Sequence, residues 1–306
     1  MEKYSKFWIT LFAFLLALQV AHAQEMIDKS YSGISKIEVD ISGIDISYVG
    51  NSAASSVDLK AMLGKNENPN KSLVVIKIGN TLKVGYKKSD KQITNNERRF
   101  IQLEGPETIA IQVKNTSGQV QLRNVHGDET KVVINSGHAR VQGIFGDVSI
   151  KGNSGKVEAS NIHGNLVCNV NSGNVEVMDV FGNVNFSSNS GSIKAKNVEG
   201  KVYGKVNSGQ MRLDDVMELG ELKVTSGSIK VVRGGLGPET TLQGSSGSID
   251  ISTASVLEDF NFELNAGSGT LSVGEYSKTK NLVVQNGSPH TVKGSINSGR
   301  IRIHNR

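Results

Sequence analysis

NSGKVEASNIHGNLVCNVNSGNVEVMDVFGNVNFSSNSGSIKAKNVEGKVYGKVNS, residues 153–208, repeats itself. Ser-Gly pairs begin at Ser117, Ser136, Ser154, Ser172, Ser190, Ser208 and Ser226, so that after one slightly longer first interval the spacing is constant. A fixed period of that size, in a chain rich in Gly and β-branched residues, predicts a solenoid with one coil per repeat. Counting each Ser as position zero, apolar residues fill position three (Val120, Ala139, Val157, Val175, Ile193), position five (Leu122, Val141, Val177, Leu213) and position eight (Val125, Ile144, Ile162, Val180, Val198). Position twelve holds Val148, Leu166, Val184 and Val202, and position fourteen Ile150, Cys168 and Phe186. Polar residues alternate with these columns, the period-two signature of half-buried strands. The expectation is an all-β chain: a single-stranded β-helix, or β-solenoid, of ~18-residue coils with two short strands each.

The corners recur as well. A Gly follows every repeat Ser, and a second column holds Gly127, Gly146, Gly164, Gly182 and Gly200, led by Asn124, Asn161, Asp179 and Asn197. Ser-Gly and Asn-x-Gly corners are therefore expected, since such residues tolerate the backbone of tight bends. Asn153, Asn171, Asn189 and Asn207 precede the Ser, placed to bond up and down the axis as a ladder. A hexapeptide helix would need an aliphatic residue every six positions, which the inward pattern does not supply. Thr ladders of ice-binding solenoids and the long acidic coils of pectin-cleaving β-helices are not seen either.

Residues 1–23 have a charged start, an apolar run and the ending Ala21-His22-Ala23, as in a secretory signal peptide cleaved before Gln24. No Cys follows that run, which argues against a lipoprotein anchor, and no later segment is apolar enough to span a membrane as a helix. The mature part would carry 32 Lys+Arg (34 less Lys3 and Lys6) against 28 Asp+Glu (29 less Glu2), interspersed. That balance gives no support for nucleic-acid binding. One Cys leaves no disulfide framework.

Residues 24–110 read as an irregular β region that begins the solenoid. KIEVDISGIDISYV (36–49) is an early, degenerate coil, 57–63, 73–78 and 81–86 are strands, and Gly79-Asn80 is a hairpin turn. Residues 87–99 form a polar, basic loop. Residues 111–306 are the regular array, looser after Ser226, with bulging loops expected at 233–240, 255–262 and 276–281. The basic last strand, RIRIHNR (300–306), is expected at an open sheet edge that its charge protects.

No catalytic, cofactor-binding or metal-ligating residues are assigned, and no cofactor is expected. Cys168 falls in an inward column, as a buried inert thiol does. His126 and His163 share a column two coils apart, too far to share a metal ion. Glu158 and Glu176 face outward between Arg140 and Lys194, a charge ladder rather than an acid pair. One corner column reads His126, Phe145, His163, Phe181, Glu199, Met217. Its aromatic, imidazole and thioether members form a candidate binding stripe for a sugar ring or a partner protein, unless they only pack on one another and shield the corner.

The phrase LEGPETIAIQVKNTSGQVQLRNVHGD, the early ISGIDIS and the iterated SGxVxxxNVxG resemble the bacterial "putative adhesin" β-solenoid family, envelope domains of unknown function similar to the head-GIN β-helix. The resemblance covers nearly all of 30–306. It implies a β-helix in the cell envelope with an adhesive or scaffolding role, and carries over no catalytic residues. Glu218 departs from the pattern where a corner Gly is expected, which suggests a local kink. The expected function is an exported, non-enzymatic binding or scaffolding module, in the periplasm or at the cell surface. Its expected partner is an envelope polysaccharide or another envelope protein. A self-associating structural protein is the alternative, and a carbohydrate-active β-helix enzyme the least favoured.

Overall fold

Period-two alternation puts every second side chain of a strand on one face, and a constant repeat length lets each strand pair with its own copy one coil later. The computed structural model describes residues 26–64, 67, 72–86 and 99–305. The expected signal peptide at 1–23, residues 87–98 of the basic loop and Arg306 lie outside them. The described chain is nearly all strand: β1 Met26–Ser32, β2 Lys36–Ile41, β3 Asp45–Gly50, β4 Ser56–Met62, β5 Leu73–Ile78, β6 Thr81–Tyr86, β7 Phe100–Gly105, β8 Ala110–Asn115 and β9 Gln119–Ile134. There follow β10 His138–His163, β11 Leu166–Val180, β12 Val184–Gly234, β13 Thr241–Thr253, β14 Asn261–Val273, β15 Tyr276–Lys278, β16 Asn281–Val284 and β17 Thr291–Asn305. A 3-10 turn at Leu257–Asp259 precedes β14.

The strands form one open, solenoid-like sheet whose central pairings are parallel. Ile150 pairs with Cys168 and Cys168 with Phe186; Ser154 pairs with Ser172 and Ser172 with Ser190. The one longer interval, from Ser117 to Ser136, is absorbed as a bulge: Phe145 pairs with His126 but Asp147 with Glu129. The inward residues of these strands join one apolar core that runs through the sheet. Within it, Gly204 faces the space claimed by Met211 and Leu222 in neighbouring columns, so a missing side chain makes room for large ones.

Corners set the coil-to-coil distance. At the Ser-Gly corner, Gly155 has φ +127°, and the Gly137 carbonyl oxygen occupies the place that a Cβ would need. The same relation continues to Gly173, Gly191, Gly209 and Gly227. At the second corner Asn124, Asn161, Asp179, Asn197, Asp215 and Arg233 all adopt φ between 53° and 57°. That corner runs from Asn161 to Gly164, one residue wider than an Asn-x-Gly turn. Side-chain ladders tie the corners together. Asn153 donates to Asn135 at 3.1 Å, Asn171 to Asn153 at 3.0 Å and Asn207 to Asn189 at 2.8 Å. On the opposite corner the carboxylate of Asp147 accepts from the backbone N–H of Asn165, and the Asn165 amide oxygen from that of Asn183.

Stacking order and chain order differ at both ends. The segment 36–49 joins the same sheet: β2 pairs with β8 and β3 with β9. On their other side, β2 pairs with β6 and β3 with β7, so the later strands lie outside the earlier ones. Antiparallel strands finish this end, β5 on β6 through the Gly79-Asn80 hairpin, and β4 then β1 on β7. The far end repeats the device. The last strand is not an edge: β17 lies between β13 and β14, parallel to both. Its alternating Ile301 and Ile303 are fully buried in that position, and apolar burial on two neighbours outweighs the preference of Arg300 and Arg302 for an edge. Residues 276–278, expected in a loop, instead fold back as β15 on β14, and β16 does the same beside it.

The outward column beginning at Arg140 is a charge ladder. Arg140 Nε lies 2.6 Å from Glu158 Oε2, and Lys156 Nζ lies 2.5 Å from Glu158 Oε1 and 3.2 Å from Glu176. His138 adds a further partner for Glu158 at 3.2 Å. Hydrogen bonds from Lys156 and Arg140 pull the Glu158 carboxyl down from 4.5 to about 2.

Three outcomes are expected. Gly155→Ala should destabilise the chain by roughly 3 kcal/mol or more, read as a fall in urea midpoint, because strain and a backbone clash add. Thr130→Val should act oppositely: Thr130 is fully buried between Ile111 and Val148, with a hydroxyl that has no partner. Its replacement by a methyl should raise stability by roughly 1 kcal/mol. Because its folded value is depressed, Glu158 stabilises the fold above pH 4.5 and loses that contribution as pH falls toward about 2. Glu158→Gln should lower Tm by a few degrees at pH 7, with the gap to wild type closing between those two pH values.

Candidate functional site

The candidate stripe lies at the second corner, just after the residues held at positive φ. Asn124, Gly143, Asn161 and Asp179, all at positive φ, turn the chain so that the side chain two positions on projects from the corner. Successive coils then stack these side chains about 4.8 Å apart, close to the contact distance of aromatic rings. His126 meets Phe145 edge-on at a centroid distance of 4.4 Å and an interplanar angle of 63°. Phe145 and His163 stack at 4.1 Å and 4°, and His163 and Phe181 at 4.3 Å and 9°. His163 is further fixed by a 3.1 Å hydrogen bond to Asn161 Oδ1, and His126 Nδ1 lies 3.4 Å from Glu107 Oε2.

Four of the five stripe residues are thereby brought into one ladder. Met217 is not among them: Glu199 occupies the intervening corner, and Met217 projects alone, 71 % exposed. Phe145 and Phe181 remain 46 % and 45 % exposed, so both stay open to solvent although each stacks on His163. Phe145 also stands between the imidazoles of His126 and His163. Cys168 is buried, and desolvation pushes its thiol up to about 12, so the thiolate is suppressed.

The corner at Glu218 is rebuilt rather than left strained. Leu219 N–H donates to the Gly235 carbonyl and Gly235 N–H to that of Val216, so the following loop supplies the missing backbone partners. Lys201 Nζ lies 3.2 Å from Glu218 and 3.3 Å from Glu239, and the Tyr203 hydroxyl donates to Glu239 at 3.1 Å. The bond to Glu218 raises the Lys201 ammonium, and that from Tyr203 lowers the Glu239 carboxyl. Sequence reading noted the exception at Glu218 but not this network, because Glu239 comes from the irregular loop. Among the described residues no group of three or more His, Cys, Asp or Glu is arranged to hold a metal ion, and no helix is long and apolar enough to cross a membrane.

Grooves on the outer surface are shallow. Two of them are about 510 Å3 each, one lined by Val74, Ile76, Lys83, Lys114 and Val133, the other by Asp28, Asp58, Lys60 and Glu104. Neither includes the ring ladder.

Several solved structures are similar to this chain. One is a "putative adhesin" from Parabacteroides distasonis, 13 % identical, with 92 % of this chain and 98 % of that one covered and a TM-score of 0.44. A "putative adhesin" from Parabacteroides merdae is 11 % identical, with 91 % and 96 % covered and a TM-score of 0.35. A "putative lipid binding protein" from Parabacteroides distasonis is 14 % identical, with 91 % and 96 % covered and a TM-score of 0.32. No curated protein matches. The Toastrack DUF4097 family model matches twice, over residues 34–197 and 145–304. The overlap at 145–197 is what a repeating sequence produces when one model fits it in two registers. Together the two matches take in nearly the whole coiled array, and the chain belongs to the Toastrack DUF4097 family.

Proposed function

We propose that this chain is an exported, non-enzymatic binding or scaffolding module of the bacterial cell envelope, adhesin-like in role. Residues 1–23 serve as a cleaved signal peptide, 24–110 begin the solenoid and 111–306 form its regular part. The working unit is one coil of a single-stranded β-helix, whose constant length sets a fixed spacing for whatever its corners display. The partner is an envelope polysaccharide or another envelope protein, met in the periplasm or at the cell surface.

The observation that carries this reading is the ladder of His126, Phe145, His163 and Phe181. Its rings are held by a backbone that cannot slide, and the exposed Phe145 and Phe181 leave an apolar, partly polar ridge. Such a ridge suits the apolar face of a pyranose or the side chains of a partner protein. Self-association is the second reading, favoured by β5: among the described residues it pairs on one side only, and Val74, Ile76 and Ile78 are each about half exposed along it.

The test is co-sedimentation of residues 24–306 with cell-wall glycan and with outer membrane, separately, for wild type and for Phe145→Ala/Phe181→Ala. Wild type should pellet saturably with one fraction, and the double variant should lose roughly tenfold in apparent affinity. Its unfolding free energy should fall by only about 1–3 kcal/mol, the worth of the lost ring contacts. Unchanged pelleting of the variant would remove the ladder from the contact. Absence of pelleting with growth of mass with concentration would transfer the function to self-association.

A further inference from the structure

On the outer side of the strands that follow the Ser-Gly corners, one column changes character part-way along. It runs Arg140, Glu158, Glu176, Lys194, with Glu158 paired to Glu176 and Glu176 to Lys194. It continues at the same interval through Arg212 and Lys230, then to Asp250 and Arg302. Toward its start the charges are compensated: Glu158 takes up Arg140, and Lys156 bridges the adjacent Glu158 and Glu176. Lys194, Arg212 and Lys230 then follow one another with no acid between them. All three are exposed, as is Lys196 on the same strand. Arg212 Nε is bound to Asp214 at 2.7 Å. Among the described residues no acid lies within ion-pair distance of Lys194, Lys196 or Lys230.

Like charges directly opposite on neighbouring strands are destabilising. Three cations in succession are therefore a local conflict; Glu158 and Glu176 share Lys156 as a counter-ion, whereas among the described residues Lys194 and Lys230 have none, and conflicts of that kind mark binding surfaces. The geometry points to a comb for an acidic polysaccharide laid along the stacking axis, which rests on the binding-module reading above and names its ligand class. Adjacent coils are about 4.8 Å apart, close to the rise of one pyranose ring in an extended chain, so a polyuronate lying along the axis keeps carboxylates within reach of several cations at once. Ser192, Gln210 and Ser228 stand two residues before the three cations on the same face and offer hydrogen bonds to sugar hydroxyls. A flat anionic membrane fits less well, because Glu176, Asp214 and Asp250 share this face and would be pressed against it. A nucleic-acid strand would want aromatic platforms for its bases, and the column has none.

The probe is polygalacturonate, with its methyl ester as the uncharged control, titrated into residues 24–306. Saturable binding is expected at about 50 mM salt, weakened roughly tenfold or more at about 200 mM. Lys194→Gln/Lys230→Gln should weaken it at least tenfold while its Tm equals or exceeds that of wild type, since repulsion is relieved. Lys205→Gln/Lys223→Gln, the same charge change on the other strand of the coil, should bind as wild type does. Equal loss in both double variants, equal binding of the ester, or tighter binding of a single-stranded oligonucleotide or of phosphatidylglycerol vesicles would overturn the comb. Failure to bind polygalacturonate while wild type still pellets with an envelope fraction overturns this inference alone; failure of both removes the two readings together.

Discussion

The carbonyl oxygen of Gly137 stands where a Cβ on Gly155 would be, and that of Gly155 stands in the same relation to Gly173. Everything else in the array depends on that contact. It brings the corners to backbone distance, so the flanking strands meet at hydrogen-bonding separation on both sides of the coil. A single larger residue would pry neighbouring coils apart and cost the strand bonds beside it as well as its own strain. Because the contact leaves no freedom along the axis, side chains one coil apart are forced into register. The Asn ladder, the ring stack and the charge column are all consequences of that one spacing.

Fixed spacing also removes the usual escape from unfavourable neighbours. On a flexible surface Lys194, Arg212 and Lys230 would spread apart; on strands locked in register their Cα atoms cannot. The same rigidity lets weak contacts add up. Each ring contact is worth only about a kilocalorie per mole, but Phe145, His163 and Phe181 stack with interplanar angles of 4° and 9° without any further ordering of the backbone. A partner that meets such a surface meets it already organised.

The centre of the fold was legible in the sequence because local and global patterns coincide there. Ile150, Cys168 and Phe186 lie one repeat apart along the chain and are partners in the sheet. The corner stripe could be read down to Phe181 for the same reason. Where stacking order departs from chain order, column reading fails. The strand 300–305 carries an edge-like run of Arg and a core-like pair of Ile, and only its insertion between β13 and β14 decides between them. The partners of Lys201 were hidden for a related reason, since Glu239 arrives from a loop with no place in the repeat. Thr130 occupies an inward column as a β-branched residue should, and nothing in its spacing signals that its hydroxyl goes unpartnered.

The insertion of β17 also says something about time. β14 makes parallel pairs with β17 and none with β13, so the last layer has no direct ladder to the body of the array. Until residues 291–305 arrive, β13 exposes an open row of backbone groups and β14 can pair only with its own hairpin strands. A chain delivered from its amino end, whether from a ribosome or through a membrane pore, can zip coil upon coil only as far as β13. It must then wait for the closing strand to slot in as a keystone. Closure is thereby tied to one segment: without residues 291–305 most coils would remain, but β13 and β14 would each keep an unsatisfied edge, the state in which β-rich chains are most prone to join one another.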